Sequence, residues 1–98
     1  MKEYSFKEFY HKSMLKAIKN FVEILKVDKN AIIDIHQYFS TLSPAELEDL
    51  LKENGWKRIL FDDLWIVMTN NNYDFNVVIY YSGYYGDLRL GRRKKVEQ

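Results

Sequence analysis

The chain has 98 residues, 47% of them hydrophobic and 30% charged, with a formal net charge of +1. This length and composition are typical of one small globular domain, which buries about two thirds of its surface around a single core. The absence of cysteine excludes disulfides, thiolate metal sites and cysteine nucleophiles. Because no apolar run reaches the length of a membrane span and the first residues are charged, we expect a cytoplasmic protein with no membrane partner.

Three helices are predicted in the first half of the chain. An apolar stripe with helical period favours a long first helix over about residues 6–26, with charged residues on its other face. Asp28 or Asn30 would cap a second helix that runs to about Ser40. A third helix is expected over about residues 44–54, because it is flanked by the start and stop signals Ser43, Pro44, Glu46 and Gly55.

From Trp56 onward the residues become aromatic and β-branched, which is typical of strands. Three strands are predicted, over residues 56–61, 64–69 and 75–81. The third strand alternates, so four of its side chains share the core face: Phe75, Val77, Ile79 and Tyr81. A short fourth strand over residues 84–91 would lie at an edge of the sheet.

These elements predict an α+β fold. Three N-terminal helices, the first one long, would pack on an antiparallel sheet of three or four strands. A single domain would span residues 1–91. The charged residues 92–98 would form a basic C-terminal tail with little apolar surface to bury.

The sequence offers no catalytic or metal-binding constellation. His11 and His36 are its only histidines, and each lies at the border of a helix's apolar face. A metal site needs three or four converging ligands, which two separated histidines do not supply without cysteine. No glycine-rich phosphate loop or serine nucleophile motif is present. We therefore predict that the protein is not an enzyme and takes no cofactor or metal.

The segment 80–86 is unusual, because four tyrosines stand there among serine and glycine. Tyrosine gives rigid, amphipathic contact area, and serine and glycine let a binding loop adapt. Since Tyr81 would face the core, Tyr80 should face outward, with Tyr84 or Tyr85 presented beside it. Tyr80, Tyr84 and Tyr85 are therefore the predicted partner-binding residues. The alternative is that these rings complete the core and cover a sheet edge.

Basic residues form two further candidate surfaces. Three lysines share the outer face of the first helix: Lys12, Lys16 and Lys19. Four consecutive bases begin the predicted tail: Arg92, Arg93, Lys94 and Lys95. Each cluster is a candidate for contacts with phosphates or with an acidic protein partner. For the helix, the alternative is an ordinary solvated face, since Glu8 lies four residues before Lys12.

A short motif connects the third helix to the first strand. It consists of Glu46-Leu47, Leu50-Leu51 and Asn54-Gly55-Trp56, and three predicted strands follow it. In this motif the segment of about residues 43–91 resembles the HicA-type mRNA interferase toxins, which have a fold like that of double-stranded-RNA-binding domains. The resemblance implies that fold and contact with RNA. It does not imply cleavage, because the family's Gly-Ser-His falls on Asp63, Leu64 and Trp65 and the catalytic histidine is missing.

The first functional hypothesis is a small non-catalytic protein that binds another macromolecule, namely a protein partner. In general character the chain resembles small inhibitors from phages and mobile elements, such as anti-CRISPR and immunity proteins. The alternative is a nucleic-acid-binding module that uses the basic tail and the lysines of the first helix. A homodimer through the sheet edge is a further expectation.

Overall fold

The computed structural model describes the backbone of residues 6–82 and 87–95, and the side chains of residues 12–82 and 87–95. In chain order its elements are α1 (Phe6–Val27), β1 (Ile32–Asp34), α2 (Ile35–Tyr38), α3 (Pro44–Glu53), β2 (Lys57–Phe61), β3 (Trp65–Thr69), β4 (Phe75–Ser82) and β5 (Asp87–Lys94). Helices and strands account for most of the two described ranges.

The strands of the described residues form one antiparallel sheet with the order β1-β5-β4-β3-β2. β5 therefore lies between β1 and β4, and the edges of this sheet are β1 and β2. The predicted α+β fold with an antiparallel sheet is confirmed. Within residues 6–82 and 87–95, however, the sheet has five strands rather than three or four, and one of them comes from the predicted second helix.

The predicted second helix is wrong over most of its length. Residues 32–34 form β1, which pairs with residues 89–91 of β5. Ile32 and Ile33 are β-branched and favour an extended backbone. Although the spacing of the apolar residues also fits a helix, these two residues pair with β5 in the sheet. Only one helical turn follows, α2, which the Asp34 side chain caps by accepting a hydrogen bond from the Gln37 amide.

α3 forms where the sequence predicts it. It starts in a capping box, in which the Ser43 hydroxyl accepts from the Glu46 amide (3.2 Å) and donates to the Glu46 carboxylate (3.1 Å). It stops before Gly55, whose φ of 89° lies in the left-handed region that favours glycine. The helix between these two signals packs Leu47 and Leu51 against the sheet, and both side chains are fully buried.

The core lies between the helices and one face of the sheet. Three of its predicted residues in β4 are fully buried: Phe75, Val77 and Ile79. Tyr81 packs at the margin of the core, and its hydroxyl donates to the carbonyl of Asp62 (2.8 Å). The other buried side chains come from the helices and strands on both sides, and include Ile18, Leu25, Leu47, Leu51, Met68, Leu88 and Leu90. The predicted orientation of β4 is therefore confirmed.

The predicted basic tail is wrong, because β5 continues to Lys94. Within this extension Arg92 pairs with Val77 and Arg93 pairs with Asn76. The domain therefore extends past the predicted boundary at residue 91. β5 extends this far because the side chain of Arg92 contacts the Phe75 ring and the end of α1.

Arg92 occupies a place on the core face of β5. Its guanidinium carbon lies 4.5 Å from the centroid of the Phe75 ring, and Nη1 donates to the carbonyls of Leu25 (3.0 Å) and Lys26 (3.1 Å). The last carbonyls of a helix have no partner within the helix, and the helix dipole favours a cation beside them. Arg92 therefore attaches β5 to the end of α1.

Candidate binding surface

One face of the sheet carries no helix in the described parts of the chain. Since the helices cover the face that holds Phe75 and Val77, the alternate side chains of the strands point to the other side. We call this side the open face; it comprises Trp65, Val67 and Thr69 of β3, Asn76, Val78 and Tyr80 of β4, and Arg89, Gly91 and Arg93 of β5. Val67, Asn76, Val78 and Gly91 are buried although no described helix covers them, so the exposed surface of this face is formed mainly by Tyr80, Trp65, Arg89 and Arg93.

Tyr80 is the central exposed ring of the open face. It lies opposite Trp65 on β3 and Arg89 on β5. Its side chain is on the solvent side, as predicted, with an exposed fraction of 37%. The ring rests against Gly91, where an added Cβ would lie only 2.6 Å from Cε2 of Tyr80. The missing side chain at Gly91 therefore lets the ring lie close to the β5 backbone.

Replacing Gly91 by alanine should displace the Tyr80 ring. The new methyl group would overlap the ring edge, which is the far end of a side chain that can rotate. We therefore expect the free energy of unfolding to change by less than about 1 kcal/mol, while the environment of Tyr80 and the adjacent Trp65 changes. Near-ultraviolet circular dichroism and tryptophan fluorescence would measure this change. Spectra identical to those of the wild type would show that the ring does not rest on Gly91.

Two of the four predicted tail bases border the open face, together with an arginine that was not predicted. Arg93 and Lys94 are exposed at the end of β5, and Arg89 is exposed four residues before Arg93 on the same side. The position of Arg89 between two leucines indicates which way it faces. Leu88 and Leu90 are buried, so the alternation of the strand directs Arg89 to the opposite face. Arg89 and Arg93 form a basic border on the open face. Lys94 lines the groove beside Arg93, but it pairs with Phe75, so the alternation of the strand directs its side chain to the side of the helices.

Arg92 and Lys95 do not belong to this border. Arg92 is directed to the end of α1, and Nζ of Lys95 donates to the carbonyls of Asn70 (3.0 Å) and Tyr73. Both bases are occupied by the backbone of their own chain. Each base therefore stabilises the fold, and its contact with phosphates stays a prediction.

The remaining predicted site residues are not brought to the open face. Lys12, Lys16 and Lys19 are exposed on α1, which packs on the opposite face of the sheet. The lysines of α1 and the bases of β5 thus lie on different sides of the molecule. Tyr84 and Tyr85 lie outside the described residues.

Open grooves cross this face in the described part of the chain. One of about 430 Å³ is lined by Ile59, Leu60, Val67, Thr69, Asn71, Asn76, Arg93, Lys94 and Lys95. Another of about 300 Å³ is lined by Trp65, Val78, Tyr80, Arg92 and Arg93. Among these lining residues there is no Asp or Glu. A third groove, of about 350 Å³, has Asp87 and Arg89 beside Trp65 and Tyr80. A ligand on this face would therefore meet mainly rings, amides and cations.

Two buried polar atoms on the open face have no hydrogen-bond partner among the described residues. They are Nε1 of Trp65 and Oδ1 of Asn76, and Asn76 as a whole is only 6% exposed. A buried polar group that stays unpaired costs about 1–3 kcal/mol. Asn76 and Trp65 line two of the grooves, but these two atoms themselves are covered by the rest of the fold.

The histidines and acidic side chains form no metal-binding group within the described ranges. Nε2 of His36 lies 3.1 Å from the carbonyl oxygen of Leu42, and the side chain of His11 lies outside those ranges. No group of three or more His, Asp or Glu side chains in them is placed to hold a metal ion. Likewise, none of the described helices combines the length and apolar character that crossing a membrane requires.

Comparisons of the chain with protein-family models, with curated proteins and with solved structures found no match. The resemblance to HicA-type toxins therefore stays a prediction. The open face places an exposed ring, Tyr80, beside Arg89 and Arg93 on one surface.

Proposed function

We propose that this chain is a non-catalytic binding module whose open face holds single-stranded nucleic acid. The observation that carries the proposal is an exposed aromatic ring with bases beside it on one side of the sheet. Tyr80 lies between Trp65 and Arg89, and Arg93 follows along β5. The tyrosine segment and the basic run, two separate hypotheses in the sequence, thus contribute to the same surface.

Aromatic rings on the inner strands of an open sheet suit unpaired bases. Every nucleobase has a flat π face, and stacking on an aromatic side chain contributes about 1–3 kcal/mol per base with little dependence on sequence. Sheet domains that bind RNA in this way stack two or three bases on aromatic residues. Tyr80 and Trp65 are direct neighbours on β4 and β3. A single strand can offer its bases to them, whereas the bases of a duplex are already stacked.

The bases along β5 suit the phosphates of the same strand. Arg89 and Arg93 are four residues apart on one face, which corresponds to about 13 Å along the strand. They therefore place a cation on each side of Gly91, beside the ring of Tyr80. Asn71 and Asn76 in the neighbouring groove add amide groups of the kind that hydrogen-bond to the edges of bases.

A protein partner is the second candidate, and it was the first hypothesis from the sequence. Tryptophan, tyrosine and arginine, the residue types of the open face, are also enriched at the centres of protein interfaces. An inhibitor of the phage or mobile-element type would belong to this class. Two of the grooves are lined by Arg and Lys without Asp or Glu, which favours an anionic ligand near Arg93, whereas Asp87 lines the third groove beside Tyr80.

Fluorescence anisotropy with a labelled oligonucleotide of mixed sequence tests the proposal. We expect saturable binding to single-stranded DNA or RNA and weaker binding to the matching duplex. If Arg89 and Arg93 each neutralise one phosphate, the logarithm of the affinity should fall against the logarithm of salt concentration with a slope of about −1.4. A fourfold increase in salt would then weaken binding by roughly sevenfold.

Charge reversal on the two sides of the molecule provides a matched pair of variants. Arg93→Glu should weaken oligonucleotide binding by about tenfold or more, whereas Lys16→Glu on α1 should leave it within about twofold. The proposal is contradicted by absence of binding at low salt or by equal losses in both variants. In that case, capture of a specific protein by the wild type and its loss in Arg93→Glu would favour the second candidate.

A further inference from the structure

β2 presents apolar side chains that the described chain leaves uncovered. It is an edge strand, and all five of its residues are exposed. Ile59, Leu60 and Phe61 are 52%, 46% and 60% exposed, which amounts to about 300 Å² of apolar side chain in one short segment. The other edge, β1, has only three residues and leads directly into α2. β2 is therefore the edge that is more open to pairing with another strand.

The charges around β2 are complementary to those of a second copy. Lys57 and Arg58 begin the strand, and Asp62 and Asp63 follow its end. If two β2 strands pair antiparallel about Leu60, Lys57 of each copy lies opposite Asp63 of the other. Arg58, which already contacts Glu48 of its own chain (3.3 Å), lies opposite Asp62. Basic residues on an edge strand usually hinder pairing with a foreign strand. In this arrangement they instead make favourable contacts at both ends of the interface.

We propose that the protein forms a homodimer in which two β2 edges pair antiparallel. Such pairing relates the copies by a twofold axis perpendicular to the sheet, so that both open faces lie on the same side. The irregular register between Arg58 and Leu60 lets Ile59 and Leu60 line the same open-face groove. The grooves of the two copies therefore lie next to each other across the axis.

The size of the interface determines its strength. One short strand and its flanking turn bury well below the roughly 800 Å² per partner of a stable standard interface. We therefore expect a reversible dimer with a dissociation constant in the micromolar range. The dimer does not depend on what the open face binds. One consequence rests on the proposed function: a nucleic-acid strand long enough to cross the axis would contact both open faces and bind more tightly than a short one.

Sedimentation velocity from low to high micromolar protein concentration tests the dimer. The wild type should shift reversibly from monomer to dimer as its concentration rises. Leu60→Lys places two like charges at the axis and should raise the dissociation constant by more than about tenfold. Ile32→Lys is the matched control, because Ile32 is a similarly exposed isoleucine on the β1 edge, and it should leave dimerisation unchanged.

Charge exchange identifies the partner as a second copy of the chain. Lys57→Asp or Asp63→Lys alone should weaken self-association, since each creates like-charge contacts at both ends of the interface. An equimolar mixture of the two variants should restore association, because every contact again joins a base and an acid.

A wild type that stays monomeric at every concentration would overturn the homodimer, as would a dimer that Leu60→Lys leaves intact. Loss of the dimer in Ile32→Lys would show that the interface lies at the β1 edge, and this result would also overturn the proposed β2 dimer. Oligonucleotide binding, measured at protein concentrations where the chain is monomeric, is a separate result. Failure of one proposal therefore does not imply failure of the other.

Discussion

A chain that ends at Gly91 should unfold far below the melting temperature of the full-length protein. The truncation removes the part of β5 that pairs with residues 75–77, and it removes Arg92 from the end of α1. Hydrogen bonds to a charged group contribute about 1.5–3 kcal/mol each, and a domain of this size has a total stability of about 5–15 kcal/mol. We expect a loss of about 4 kcal/mol or more, which corresponds to a fall of about 20 °C in Tm.

Thermal and urea unfolding followed by circular dichroism would measure this loss. A chain that ends at Lys95 is the control, because it keeps every described contact of β5. It should have the same melting temperature as the full-length protein. Should the chain ending at Gly91 unfold at the same temperature as this control, the second half of β5 contributes nothing to stability. The basic run would then behave as the tail that the sequence predicts.

Tyr80→Ala should weaken the binding of a single-stranded oligonucleotide by more than tenfold. The substitution removes a stacking contact that contributes about 1–3 kcal/mol, or about 5- to 150-fold in affinity. Because the ring lies on the open face against Gly91 and not in the core, the free energy of unfolding should fall by only about 1 kcal/mol. Anisotropy titrations at low salt and urea unfolding of the same samples would separate these two effects.

Two further tyrosine variants determine whether the ring acts by stacking. Tyr80→Phe keeps the ring and should retain affinity within about threefold. Tyr38→Ala removes an exposed tyrosine of α2 that packs on Phe21, with ring centroids 5.2 Å apart, and should not change binding. Stacking by Tyr80 is excluded if Tyr80→Ala binds like the wild type, or if Tyr80→Phe loses as much affinity as Tyr80→Ala.

Elements that carry their own local signals were predictable from the sequence. α3 is one of them, because Ser43 and Gly55 fix its start and its end within a few residues of the helix itself. β4 is another, since the apolar side chains at alternate positions from Phe75 to Ile79 predict the face that the helices cover. In both cases the interactions that define the element are close in sequence, so the pattern contains them.

Elements that depend on distant partners were not predictable in the same way. β1 forms because residues 89–91 lie beside it, and without that strand its isoleucines fit a helix equally well. β5 continues past Gly91 because Arg92 reaches the Phe75 ring and the end of α1. A run of four bases ordinarily indicates a solvated segment. Its partners within the fold could not be read from the run itself.

The candidate site was predictable only in parts. Alternation identified Tyr80 as outward, and composition identified Arg93 as part of a basic cluster. Their common face depends on the register of β4 against β5, in which Tyr80 lies opposite Arg89. No local sequence pattern predicts that register. Asn76 gave no signal either, because nothing in the sequence indicates an asparagine buried on the side of the sheet away from the helices.

The position of β5 between β1 and β4 determines when the protein can fold during its synthesis. β1 leaves the ribosome early, yet its partner, residues 89–91, is translated more than half of the chain later. The same delay applies to the end of α1, which lacks the Arg92 donors until then. Neither the pairing of β1 nor the Arg92 contacts at the end of α1 can therefore form until β5 has been synthesised. Until β5 emerges, the nascent chain exposes the free edge of β4, and a pause in translation there would leave that edge accessible to chaperones or to other unfolded chains.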